Sequence, residues 1–150
     1  MAASSQSRPS SRARSVARKL AMQALYQRQL NVQPWQDLHQ QALASEDAAR
    51  ADAAYLRELI EQICARQDEL DAELAGLVDR PVKDIDPIEH AILLIGAYEL
   101  KARAEIPFRV IINEGVELAR RFGATDGYKF VNAVLDRAAT QLRGPERGTA

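Results

Sequence analysis

A cation and a large aromatic side chain stand next to each other near the end of the chain. Lys129 and Phe130 follow the short polar stretch 123–127 in the segment FGATDGYKFVNAVLD. Proteins that bind single-stranded nucleic acid combine positive groups with ring faces on which bases stack, and each stack contributes about 1 to 3 kcal/mol. The pair therefore predicts contact with unpaired nucleobases. Helical periodicity alone leaves a core position for the Phe130 ring equally open.

A second group of the same chemistry lies at the other end of the chain. With about 100° of rotation per residue, Arg12, Lys19, Gln23 and Tyr26 fall on one narrow face of the first predicted helix. Residues 1–36 carry a formal charge of +6 and no acid, whereas the remaining residues carry −7. This face predicts a polyanion site. The alternatives are a solvated tail and, for Tyr26, a residue that seals the edge of a bundle.

Groups that could catalyse a reaction or hold a metal do not occur in a suitable pattern. His39 and His90 stand apart and form no H-E-x-x-H pair, and the glycines form no phosphate-binding loop. Acids at helical spacing, such as Glu58 and Glu61, are typical of solvated helix faces. The lone Cys64 lies in an apolar stripe and fits a reducing compartment. The sequence predicts a non-enzymatic binding protein without a metal or cofactor.

The elements that would position these side chains are helices. Only 5% of the residues are aromatic, and no segment alternates like a strand. Apolar spacing predicts an all-α fold of six to seven helices in two small packed bundles. A helical domain is expected over residues 14–143, with lobes at about 14–78 and 84–143 separated near Pro81. The remaining segments are a basic tail expected to be disordered, residues 1–13, and a frayed tail, residues 144–150.

Local signals mark several helix ends. Asp86 predicts an N-cap followed by a proline in the first turn, and Glu89 is expected to pair back to this cap. Ser45 predicts the start of a long helix, and Gly123 predicts a left-handed helix end. The longest apolar run, residues 91–98, is far shorter than the ~20 residues that span a bilayer, and it predicts a core helix without membrane association.

Three stretches of the chain resemble a known family. RKLAMQALYQ, AILLIGAYEL and IPFRVIINEGVELARRFGATDGYKFVNAVLDRAA are similar to the NusB family of bacterial transcription antitermination factors, over residues 14–140. The resemblance implies a cytoplasmic, all-helical protein that binds boxA RNA as a single strand. It also implies two partners: NusE, a small-subunit ribosomal protein, and the RNA polymerase antitermination complex. Such complexes read through terminators, notably in ribosomal RNA operons.

The resemblance also implies roles for individual residues. Glu89 matches an acidic position on the side that faces NusE. The residues that match the family's basic first segment, its first-helix tyrosine and its RNA-proximal loop are Arg14, Arg18, Lys19, Tyr26, Asp126, Lys129 and Phe130. Arg12 and Gln23, from the helical face, complete the expected RNA-binding set, and Arg8 is a further candidate because the basic segment is diluted. Asp126 is expected to act as a cap as much as a contact, because a carboxylate repels phosphate.

Two other interpretations stay open. A NusB-like accessory RNA-binding module of an rRNA methyltransferase system would share the fold, although the sequence contains no Rossmann-like segment. A helical module that binds protein or DNA is the other, although no recognition helix with base-reading side chains is marked. Preference for single-stranded RNA over duplex DNA would separate these interpretations.

Overall fold

The computed structural model describes residues 10–148, with side chains for residues 10–146. Within this range there are seven α-helices, two short 3-10 helices and no strand, so the all-helical prediction is confirmed. The helices group into two compact units, one ending at Cys64 and the other starting at Ala65. The boundary between the units lies within a continuous helix, whereas the sequence places it near Pro81.

The first unit is built on a long N-terminal helix. Its elements are α1 (Ser11–Leu30), α2 (Trp35–Leu43), a 3-10 helix (Glu46–Arg50) and the N-terminal part of α3 (Ala53–Ala75). The hydroxyl of Ser10 accepts a hydrogen bond from the Ala13 N–H at 3.0 Å, and this N-cap starts α1. Residues 11–13, which the sequence assigns to the tail, therefore belong to α1. Residues 1–9, with Arg8, lie outside the described range.

The start of α3 differs from the prediction. Ser45 accepts a hydrogen bond from the Asp47 N–H at 3.2 Å, but it opens only the short 3-10 helix. The long helix begins at Ala53, where Asp52 Oδ1 accepts a hydrogen bond from the Tyr55 N–H at 3.1 Å. Asp52 also donates its own N–H to the Ala13 carbonyl at 3.0 Å, which ties the start of α3 to the first turn of α1.

The second unit surrounds one central helix. After the C-terminal part of α3 come a 3-10 helix (Val82–Asp84), α4 (Pro87–Ala102), α5 (Phe108–Phe122), α6 (Gly127–Leu142) and α7 (Gly144–Gly148). Every residue of α4 from 89 to 100 is buried, because α5 and α6 pack on it and its sequence is apolar on nearly all sides. In the described residues, no helix combines the length and the apolar character needed to cross a membrane.

A buried arginine joins the end of α6 to the end of α4. Arg143 is 8% exposed, and its guanidinium donates hydrogen bonds to the carbonyls of Leu100 and Ile106, both at 2.8 Å. It also donates to the carbonyls of Arg103 at 2.9 Å and Glu99 at 3.2 Å. The last carbonyls of a helix have no partner within the helix, so this side chain satisfies the end of α4.

The described residues after Arg143 are ordered by the same side chain. The sequence predicts a frayed tail from residue 144, but Gly144–Gly148 form α7. The Glu146 carboxylate accepts a hydrogen bond from Arg143 Nη1 at 3.1 Å and another from the Phe108 N–H at 3.3 Å. These bonds hold α7 against the first turn of α5.

We expect Arg143→Ala to lower the free energy of unfolding by about 3 kcal/mol, because it removes the guanidinium donors of the buried Leu100 and Ile106 carbonyls. Urea denaturation followed by circular dichroism measures the change. Arg137→Ala is the matched control, since exposed Arg137 donates only to the Leu77 carbonyl, at 2.9 Å. The control should change stability by less than about 1 kcal/mol. Equal losses in the two variants would contradict this role of Arg143.

Candidate nucleic-acid interface

The loop between α5 and α6 rests on a buried carboxylate. Glu89 is 5% exposed, and its Oε2 accepts a hydrogen bond from the backbone N–H of Ala124 at 3.2 Å. Asp86 caps α4 as predicted, accepting hydrogen bonds from the N–H groups of Ile88 and Glu89. The Glu89 side chain, however, does not pair back to this cap as expected. It reaches across to the loop that precedes α6, and burial raises the pKa of its carboxyl.

Both glycines of the loop lie close to other atoms, and at Gly127 these belong to the same carboxylate. A Cβ atom at Gly127 would lie 2.1 Å from Glu89 Oε2, and a Cβ at Gly123 would lie 2.7 Å from the Ala119 carbonyl oxygen. The prediction of a left-handed end at Gly123 is wrong, since its φ is −83°. The left-handed residue is instead Asp126, with a φ of 65°. Aspartate tolerates this conformation better than most residues, and the chain turns there into α6.

The burial of Glu89 changes the role that the family resemblance implies for it. The resemblance places this residue on a surface that faces a protein partner. A carboxylate that is 5% exposed and bonded to the Ala124 N–H has almost no surface to offer such a partner. Any influence of Glu89 on a partner therefore acts through the loop that it supports.

The first turn of α6 presents Lys129 and Phe130, the cation and the ring that the sequence predicts to contact nucleobases. The Lys129 side chain is 67% exposed, and its Nζ lies 3.6 Å from Oδ1 of the equally accessible Asp126. Asp126 makes no side-chain cap hydrogen bond, so its expected capping role is wrong. Phe130 is half-buried, and the guanidinium carbon of Arg80 lies 4.3 Å from its ring centroid. The ring thus lies at the rim of the core. The sequence leaves open whether it is buried in the core or exposed to a ligand, and each prediction is partly right.

More cations and rings surround this turn than the sequence predicts. Arg120 of α5 lies 4.2 Å from the ring centroid of Tyr128, and Lys129 lies 6.0 Å from the same ring. Two features could have identified Tyr128 as a candidate: its place next to Lys129 and its aromatic type. Arg80 and Arg120 had no such signal, because their proximity to the rings depends on tertiary packing.

The first unit carries the N-terminal group of predicted residues on α1. Arg12 and Gln23 are exposed, and Tyr26 is half-buried. The Lys19 side chain is only 16% exposed, and its ammonium donates a hydrogen bond to Asp47. That bond, together with the nearby charge of Arg50, lowers the pKa of the Asp47 carboxyl. The predicted face of α1 therefore points outward, but its lysine is already engaged by an acid.

Two of the predicted arginines cover a tyrosine of α3. The guanidinium carbons of Arg14 and Arg18 lie 4.8 Å and 5.7 Å from the ring centroid of Tyr55, which is buried. Arg18 is only 4% exposed, so its expected direct contact with RNA does not fit its position. Arg14 is half-buried, and its Nε lies 3.8 Å from Asp52 Oδ2. These arginines therefore pack α1 against the start of α3.

Comparison with known proteins agrees with the all-helical fold. The model of the NusB family matches residues 15–140 of this chain. The chain belongs to the NusB family. A "Transcription antitermination protein NusB" from Halorhodospira halophila is 48% identical over 150 residues, covering 99% of this chain and 94% of that protein. One of the same name from Marinobacter nauticus is 46% identical over 127 residues, covering 85% of this chain and 80% of that protein.

A solved structure shows the same fold. The structure of T. maritima NusB in a P3121 crystal form covers 84% of this chain and 89% of its own, with a TM-score of 0.68 and 24% identity. In this NusB-family chain, the residues that the structure describes contain no group of three or more His, Cys, Asp or Glu side chains suited to a metal. Cys64 is half-buried, and burial raises the pKa of its thiol, which disfavours the reactive thiolate.

We expect Gly127→Ala to lower the free energy of unfolding by about 2 kcal/mol, because the new methyl group would overlap Glu89 Oε2. Gly144→Ala is the matched control, since a Cβ there meets no atom within 4 Å. The control should leave stability nearly unchanged, and thermal unfolding of both variants measures the difference. A Gly127→Ala protein as stable as the control would show that the loop does not press on Glu89.

We expect the stability of Glu89→Gln relative to wild type to rise with pH. The raised pKa of Glu89 means that the folded state holds its proton more tightly than the unfolded state does. Wild-type stability therefore falls as pH rises from the ordinary value of 4.5 through the raised value, whereas glutamine does not titrate. Denaturation at several pH values between about 4 and 7 tests this linkage. A difference that is constant, or that shrinks with pH, would contradict it.

Proposed function

We propose that this chain is a non-enzymatic, cytoplasmic transcription antitermination factor that binds boxA RNA as a single strand. In this proposal it acts together with NusE and promotes read-through by RNA polymerase, notably in ribosomal RNA operons. Membership of the NusB family and the antitermination proteins among its relatives support the general role. The details of RNA and partner follow from the family resemblance.

The observation that carries the proposal is the first turn of α6. It brings an exposed ammonium, that of Lys129, next to a half-exposed ring, that of Phe130. An unpaired strand offers phosphates to the first and base faces to the second. A duplex hides its base faces inside the stack, so this arrangement favours a single strand. The ion pair with Asp126 is exposed, and such pairs contribute little, so phosphate can replace the carboxylate at low cost.

The residues of α1 have different parts in this proposal. Arg12, Gln23 and Tyr26 offer accessible groups to RNA. Lys19 takes part only by exchanging Asp47 for a phosphate, because the two side chains are already hydrogen bonded. Arg14 and Arg18 support the helix by covering Tyr55. The number of phosphates neutralised is therefore smaller than the number of basic residues, and each contributes a slope of about 0.7 to the salt dependence.

NusE is the protein partner that the resemblance implies. We propose that Glu89 affects this association indirectly, by holding the loop at residues 123–127 in place. A conservative Glu89→Gln change retains an acceptor for the Ala124 N–H and should have a small effect on NusE binding. A Glu89→Lys change places a cation in the buried position and should disturb the loop and weaken both RNA and NusE binding.

We expect Phe130→Ala to weaken binding of single-stranded boxA-like RNA by about 1 to 3 kcal/mol, because the ring is part of the stacking surface at this turn. Fluorescence anisotropy with labelled RNA, with and without NusE, measures the affinity. Trp35→Ala is the control, since Trp35 is a half-buried aromatic residue of α2 outside the predicted set. The control should bind as wild type does. Thermal unfolding of each variant separates a lost contact from a lost fold.

Two results would overturn the proposal. Tighter binding of duplex DNA of the same sequence would favour a DNA-binding module. Equal losses for Phe130→Ala and Trp35→Ala, both in proportion to lost stability, would show that the Phe130 ring only fills space.

A further inference from the structure

Two residues far apart in the sequence form a stacked pair at the candidate site. Arg80 lies in the turn between α3 and the 3-10 helix Val82–Asp84, and Phe130 lies in the first turn of α6. The guanidinium carbon of Arg80 is 4.3 Å from the centroid of the Phe130 ring. At this distance the planar guanidinium covers one face of the ring. A base therefore cannot lie directly on that face while Arg80 remains in place.

A hydrogen bond at one edge of the guanidinium helps to hold the Arg80 side chain in this position. Its Nε donates a hydrogen bond to Asp79 Oδ1 at 2.9 Å, which uses one of the five N–H donors of the guanidinium. Pro81 follows directly and adopts a φ of −60° as the N-cap of the 3-10 helix, so the backbone beside Arg80 is restricted. The Arg80 side chain is 43% exposed, so part of it is accessible to solvent.

A planar cation above a ring can serve either packing or recognition. Arginine planes stack on unpaired bases and donate hydrogen bonds to phosphates, and both properties suit a single strand. The exposed pair with Asp79 adds little stability. Phe130 is next to the exposed Lys129 in the sequence. The Arg80–Phe130 pair therefore lies at the turn that we propose binds RNA.

We propose that Arg80 is an RNA-contacting residue, and that an unpaired nucleobase stacks on the outward face of its guanidinium, which is supported from below by the Phe130 ring. The order of layers is base, guanidinium and ring. This inference rests on the proposed RNA-binding function and adds a residue and a geometry to it. In this arrangement Phe130 acts mainly by positioning Arg80, and the two side chains function as one unit.

The first test is a double-mutant cycle on single-stranded boxA-like RNA, measured by fluorescence anisotropy. Arg80→Ala and Phe130→Ala should each weaken binding about tenfold, and the double variant should bind about as weakly as the weaker single variant. Losses that multiply in the double variant would overturn the layered unit. Wild-type affinity for Arg80→Ala, with weakened binding for Phe130→Ala, would also overturn it and would leave the proposed function intact.

Arg80→Lys separates stacking from charge. A lysine restores the positive charge and the salt dependence of binding, but it has no plane on which a base can stack. We expect its affinity to stay well below that of wild type while its salt slope matches. Wild-type affinity for Arg80→Lys would show that charge alone is needed and would overturn the stacking geometry.

The chain offers a matched control in the first unit. Arg57 lies 5.3 Å from the ring centroid of Trp35 and pairs with Glu61 at 3.3 Å, as Arg80 pairs with Asp79. Arg57→Ala should leave RNA affinity unchanged, and an equal loss there would overturn a specific role for Arg80. Melting temperatures of the Arg80 and Arg57 variants should match wild type within experimental error, and all affinities are measured well below the melting temperature of Phe130→Ala. Binding of the RNA by wild type is measured first. If wild type does not bind, both the proposed function and this inference fail.

Discussion

The position of the candidate site depends on one buried carboxylate. Glu89 lies inside the second unit and accepts a hydrogen bond from the Ala124 N–H. Because its oxygens occupy the space beneath the loop, a Cβ at position 127 would overlap Glu89 Oε2. The chain therefore crosses above Glu89 with glycine at 127 and turns at Asp126 with a positive φ. These two constraints fix the point at which α6 begins.

The start of α6 in turn determines which side chains reach the surface. Lys129 and Phe130 follow Gly127 within one turn, so their directions are set by the helix phase that begins there. A carboxylate is an expensive group to bury, and the raised pKa of Glu89 reflects that cost. An apolar side chain of similar volume would cost less, but it could not accept the hydrogen bond from the Ala124 N–H. The polar group thus fixes the loop at the expense of some stability.

The sequence was sufficient for features that depend on local periodicity. The all-helical fold, the Asp86 cap and the core character of α4 follow from spacings within one or two turns, and the structure agrees. The loop at residues 123–127 could not be predicted in this way. Glu89 has the sequence signature of a capping box, yet its partner Ala124 lies 35 positions away. Similarly, a glycine after a helix, such as Gly123, is typical of a left-handed helix end. In the structure the left-handed conformation occurs at Asp126 instead.

Side-chain pairing between distant segments explains the remaining differences at the candidate site. Periodicity indicates which face of α1 is polar, but it cannot indicate that Asp47 engages Lys19 or that Tyr55 lies beneath Arg18. Nor does it indicate that Arg80 covers Phe130. Each pairing joins residues at least 28 positions apart, a separation at which helical spacing carries no information.

These pairings also bear on how an acidic chain would accommodate the polyanion that we propose as its ligand. Charges in solution act over a screening length of about 8 Å at physiological salt, so the net charge of the chain matters less than the groups within reach of a phosphate. On α1, Lys19 already forms an ion pair with Asp47. A phosphate that replaces this carboxylate therefore gains only the difference between the two interaction energies with Lys19. Electrostatic attraction at this face is consequently weaker than the count of basic residues suggests. Stacking on rings and guanidinium planes does not suffer this competition, because a carboxylate at the edge of Arg80 leaves its face open. The affinity for a single strand is therefore expected to depend more on the first turn of α6 and on Arg80 than on the basic N-terminal segment.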